Sequence, residues 1–127
     1  MTEMTVTKEA AKQAVRDLLS IYGRLTFARI AACFDEIGYP YRGNMAFAYQ
    51  KNKKLIYWGG WNAEAFSILQ ELEEEGVLHR EGSSAAEYLV DGIAFPLPAV
   101  SCEEDLASGK SLWIPVAFEP GRQPWTL

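Results

Sequence analysis

His79 is the only histidine in the chain, and the two cysteines, Cys33 and Cys102, lie far from it in sequence. A zinc site usually announces itself by Cys or His ligands paired a few residues apart. No such spacing exists here, so the sequence predicts no metal and no cofactor. "SGKS" at Ser108–Ser111 carries the Gly-Lys-Ser end of a phosphate loop. The first glycine of such a loop would fall at Glu104, and a helix rather than a strand precedes it. "LEEEG", Leu72–Gly76, clusters carboxylates that general acid–base chemistry could use, but a solvated helix end is the simpler reading. No stretch forms an enzyme signature, and the sequence predicts a non-enzyme.

Two further stretches have the chemistry of binding. "YQKNKKLIYW" interleaves Lys51, Lys53 and Lys54 with Tyr49, Tyr57 and Trp58. Cations plus aromatic faces can hold a nucleic-acid strand by phosphate contacts and stacking. A lysine-rich hairpin tip that keeps a sheet edge soluble has the same composition. "WGGW", Trp58–Trp61, reads either as core filling or as a protein-binding hot spot, where Trp is enriched.

These residues need elements to position them. Thr7 can cap a helix through about Tyr22, whose stripe Ala11, Ala14, Val15, Leu18, Leu19 and Tyr22 has helical spacing. Lys8, Lys12 and Arg16 fall on another face and read as solvated surface. Thr26 caps a second helix, Phe27 to about Ile37, which Gly38 and Pro40 end. Cys33 reads as a small core residue of that helix. "GYPYRGN" follows as a turn-rich connector.

Met45–Tyr49 and Leu55–Trp58 read as a hairpin around the loop Gln50–Lys54. A short helix at Asn44–Tyr49 before one strand is the alternative. "GGW" reads as a flexible break. Asn62 caps the third main helix, Ala63 to Glu75, which buries Phe66, Leu69 and Leu72 and exposes Glu64, Glu71 and Glu74. Then come a strand, Val77–Glu81, a tight loop, Gly82–Ala85, and a return strand, Ala86–Val90. Ile93–Val100 reads as extended. Ser101 with Glu104 predicts a short helix, Cys102–Ser108, and Leu112–Phe118 a strand in which Pro115 suits an edge or bulge.

Helix, helix, insertion, helix, strand, loop, strand is an order that resembles the winged helix-turn-helix superfamily over roughly residues 7–91. "GRLTFARIAACF" (Gly23–Phe34) and "AEAFSILQELEEEGVLHRE" (Ala63–Glu81) carry the likeness. The resemblance implies a supporting helix in the first stretch. It implies a recognition helix and first wing strand in the second, with the wing tip at Gly82–Ala85. It also implies an α+β fold: a winged-helix-like core of three main helices and a β-hairpin wing. An extended or hairpin insertion at residues 38–61 and a proline-rich C-terminal β extension at residues 92–127 complete a single domain.

Charge separates this chain from a DNA reader. Residues 38–61 hold Arg42, Lys51, Lys53 and Lys54 and no acid, whereas residues 62–92 hold eight acids against Arg80. Cations against phosphates supply most non-specific DNA affinity, and a third helix exposing Glu64, Glu71 and Glu74 has the wrong sign.

The combined reading is a non-catalytic regulatory binding module that acts through a protein partner with a basic groove. Glu64, Ser67, Gln70, Glu71 and Glu74 form the contact face, with Trp58 and Trp61 as hot-spot candidates. By analogy with small phage-type inhibitors, such a face can mimic nucleic acid. The alternative is a dimeric winged-helix DNA-binding regulator using Arg42, Lys51, Asn52, Lys53, Lys54 and Arg80. Trp113 and Trp125 in the tail either close the sheet or build a homodimer contact. No N-terminal leader and no 18-residue apolar run is evident, which predicts a cytoplasmic protein with no membrane partner.

Overall fold

The computed structural model describes residues 6–93, 95–100, 104–105 and 109–122. The chain is α+β. Its elements run α1 (Lys8–Tyr22), β1 (Leu25–Thr26), α2 (Phe27–Ile37), β2 (Arg42–Tyr49), β3 (Asn52–Trp61) and α3 (Ala63–Glu74). They continue as β4 (Leu78–Gly82), α4 (Ala85–Val90), β5 (Leu112–Trp113) and β6 (Val116–Pro120). Thr7, Thr26 and Asn62 each accept a backbone N–H from the first turn of the helix they precede, as expected of N-caps. Gly23 and Gly38 close α1 and α2 at positive φ.

Among the described residues two three-stranded sheets form. In one, β6 lies between β1 and β4 and pairs antiparallel with both. In the other, β3 lies between β2 and β5, antiparallel to the first and parallel to the second. Pro115 sits between β5 and β6, so the expected single strand Leu112–Phe118 is split between the two sheets. A proline cannot donate to a ladder, and here the chain leaves one ladder and joins the other around it.

The hairpin is present, but its tip is only the turn at Gln50–Lys51, and Asn52–Lys54 already belong to β3. "GGW" is no break: Gly59, Gly60 and Trp61 continue β3. The expected return strand Ala86–Val90 is instead α4. Ser84 caps it, accepting from Glu87 N–H at 3.2 Å, and β4 finds its partner in β6. The helix expected at Cys102–Ser108 falls mostly outside the described residues, as do Cys102 and Trp125 themselves.

Aromatic rings build the core. Phe27 stacks on Trp58 with centroids 5.8 Å apart and meets Trp61 and Phe118 edge-on. Such pairs add to what area burial contributes. Tyr88 of α4 is fully buried, and its hydroxyl donates to the Val116 carbonyl at 2.6 Å while accepting the Phe27 N–H. Asp91, at the end of α4, accepts from Thr26 Oγ1 at 2.6 Å and pairs with Arg29, which ties α4 to the start of α2. Cys33 is half-buried rather than a core residue, and burial holds its thiol above the usual range. Among the described residues no helix is long and apolar enough to cross a membrane.

Candidate binding groove

The acidic face of α3 is less free than its sequence implies. Glu71 pairs with Lys8 and, at 3.1 Å, with Lys12; Glu75 pairs with Lys12 and, at 3.0 Å, with Arg16. Lys8, Lys12 and Arg16 are therefore not a solvated stripe but the cationic half of the α1–α3 contact. Lys12 is only 7% exposed, and the Glu75 carboxylate, followed by Glu71, keeps its ammonium charged and its pKa raised. Glu71, expected to be exposed, is half-buried, and its carboxyl is held low by Lys8 first and then Lys12.

The other expected contact residues divide. Glu64 is exposed and accepts from the Tyr39 hydroxyl at 2.6 Å. Ser67 donates to its own helix, to the Glu64 carbonyl. Gln70 and Glu74 are exposed. Trp58 and Trp61 are 5% and 2% exposed, so both indoles fill the core and offer no hot spot to a partner.

Of the basic set, Arg42 pairs with Asp35 at 2.9 Å, and Lys54 donates to the Gly109 carbonyl at 3.0 Å. Asn52 stabilises the hairpin tip by accepting the Lys54 N–H. Lys51 is exposed in the turn, and Lys53 is exposed beside it.

Lys53 and Arg80 meet Gln70 and Glu74 in one place. A groove of about 930 Å³ opens between the hairpin, the second half of α3 and β4. Phe47 anchors the hairpin on the first half of α3 through Phe66, with centroids 5.8 Å apart. Phe47, Tyr49, Gln50, Lys53 and Tyr57 line the hairpin side; Gln70, Glu73 and Glu74 line the helix side. Residues that seemed to belong to rival surfaces thus share a single cleft.

Arg80 lies between the two sides. Its guanidinium carbon is 4.9 Å from the Tyr57 ring centroid and 5.3 Å from that of Phe47. Its Nε donates to Glu73 at 3.0 Å, and among the described residues its other N–H groups have no hydrogen-bond partner. Burial pushes the Glu73 carboxyl above the usual carboxylate range, with Arg80 opposing the shift. The groove therefore offers three aromatic rings, a stacked guanidinium whose remaining donors have no partner among the described residues, two amides and charges of both signs.

The last four residues of β2, Ala46 to Tyr49, and the turn residue Gln50 after them line this groove. Successive strand residues point to opposite faces, so a cleft that touches all four of these strand residues meets the strand edge-on. β2 is the outer strand of its sheet, and among the described residues no strand pairs with its outer edge. The strand's register against β3 shifts at several points, which twists that edge.

A second polar cluster lies on the far side of β4. His79 Nδ1 is 2.8 Å from the Gly121 carbonyl, and Nε2 is 2.9 Å from Glu81 Oε1. The β4–β6 register sets Glu119 directly opposite His79. The imidazole pKa is raised, by the Gly121 carbonyl first and then by Glu81. Sequence spacing missed this grouping because its members come from strands far apart in the chain.

The chain matches no known family, no curated protein and no solved structure, so its function rests on this geometry.

Proposed function

We propose that this chain is a non-catalytic binding module that acts through a protein partner, and that an extended segment of that partner adds to β2 in the groove. The outer edge of β2 carries this reading. Strand addition supplies affinity through main-chain hydrogen bonds, and neighbouring pockets supply specificity. Phe47 and Tyr57 suit apolar side chains of the incoming segment; Lys53 and Glu74 suit an acid and a base flanking them. The twisted register discourages indiscriminate edge pairing and so favours a fitted partner. Mimicry of nucleic acid by α3 has less support, because α1 neutralises Glu71 and Glu75 and Arg80 engages Glu73.

The core is read as winged-helix-like. The helices α1, α2 and α3 are followed by β4 and by β6 antiparallel to it, a strand pair in the place of that superfamily's wing, with α4 and β5 between the two strands in sequence. A nucleic-acid partner is the second reading, favoured by Arg80 stacked on aromatic rings beside Lys53.

A photo-crosslinking residue at Ala46, with a control at the exposed Gln13 of α1, tests the proposal in cells. The expected result is a discrete protein adduct from Ala46 alone that Arg80→Glu abolishes. Adducts to nucleic acid only, or protein adducts equal at both positions, would overturn it.

A further inference from the structure

We propose that His79, Glu81 and Glu119 form a binding site for a divalent transition metal of the zinc class. One ligand atom from each lies within 4.8 Å of the others. The sheet makes this arrangement: His79 and Glu81 share a face of β4 by the two-residue period, and Glu119 is the cross-strand neighbour of His79.

The orientation of the imidazole is the informative observation. A carbonyl can only accept, so the 2.8 Å contact with Gly121 puts the proton on Nδ1. In the neutral ring the lone pair then belongs to Nε2, which faces Glu81 Oε1 at 2.9 Å. Two acceptors at that distance need a cation between them: a proton, which makes an imidazolium, or a metal ion. Metal-bound histidines are typically fixed in this way, the second nitrogen donating to a carbonyl or carboxylate. His79 is 13% exposed and Glu81 42%, so the site has a fixed base and an open side for water or a further ligand.

Arg24 supports the third ligand. It donates to Glu119 Oε2 at 2.7 Å while clamping Glu87 with two further bonds, so Glu119 is held and its Oε1 is left for the ion. The nearby guanidinium charge makes this a moderate site rather than a tight one. One imidazole with two carboxylates favours zinc, nickel or copper over magnesium and calcium, which prefer all-oxygen ligands. The site lies on the opposite face of β4 from Arg80, so it is independent of the groove.

The test uses the full chain without a histidine tag, titrated separately with zinc chloride and magnesium chloride by calorimetry at pH 7.5. One zinc per chain and no magnesium is expected. Because His79 is the only histidine, a long-range nitrogen–proton spectrum holds one imidazole, and zinc should move Nε2 while Nδ1 stays protonated. His79→Ala should abolish binding. Glu119→Gln should weaken it by at least the roughly tenfold that losing an outer partner of a ligand already costs. Magnesium binding as well as zinc would overturn the proposal, as would an unmoved Nε2 or zinc binding that survives His79→Ala. If His79→Ala fails to fold by circular dichroism, Glu81→Gln and the Nε2 resonance of the native chain decide.

Discussion

The Arg80 guanidinium stacks over Tyr57, its carbon 4.9 Å from the ring centroid. The same group neutralises Glu73, whose carboxyl burial already pushes up. Arg80→Ala should therefore raise the Glu73 pKa further, which carboxyl carbon NMR would report. It should also cost about 0.5–1 kcal/mol in urea for the lost cation–π contact. Arg80→Lys keeps the charge but not the planar stack, so it should restore the Glu73 titration and only part of the stability. An unchanged Glu73 in Arg80→Ala would mean that the pair does not form in solution.

Tyr88→Phe removes one hydroxyl with two roles. The Val116 carbonyl loses its donor and the Phe27 N–H loses its acceptor, both at a buried site. Each buried group left unsatisfied costs about 1–3 kcal/mol. A loss of at least about 1 kcal/mol in denaturant unfolding is expected, and a neutral result would show that α4 is not docked as described.

The Lys12 cluster gives stability a pH dependence with a defined sign. Glu71 and Glu75 are held below their ordinary value of 4.5, so their contribution is present above it and lost as pH falls through the lowered folded values. Lys12 is held above 10.5, so its contribution is present below that value and lost as pH rises through the raised one. Lys12→Met should narrow the acid-side loss whatever it does at neutral pH. Urea midpoints at pH 3.5 and pH 7 should differ less in the variant than in the parent.

Gly43 lets β2 pass the start of α3. A Cβ there would sit 2.9 Å from Asn62 Cα, Asn62 N and the Trp61 carbonyl oxygen, all backbone atoms that cannot swing aside. Gly43→Ala should cost on the order of 1–3 kcal/mol, as overpacking does. Gly82→Ala, which meets nothing within 4 Å, is the control and should stay within about 0.5 kcal/mol. Equal thermal midpoints for the two variants would disprove the close approach.

The three long helices were legible because each starts with a local device, the caps Thr7, Thr26 and Asn62. α4 carried the same device, since Ser84 and Glu87 have the spacing of a capping box, but the resemblance to a wing favoured a strand there. The aromatic run of the hairpin was legible from composition. The groove was not, because it depends on how the hairpin, α3 and β4 pack together, and they lie apart in the chain. The ion pairs of Lys12 and the pairing of His79 with Glu119 depend on long-range packing and register, which no local pattern encodes.

The strand at the middle of the first sheet is also its last in sequence: β6 pairs Phe118 with Leu25 and Pro120 with Leu78. During synthesis β1, α2 and β4 emerge well before the segment that joins them. Contacts this distant close slowly. Until β6 arrives, β1 and β4 both present unpaired edges, and Phe27 lacks its Phe118 neighbour. A chain halted before Val116 is therefore expected to be an aggregation-prone intermediate rather than a smaller folded domain.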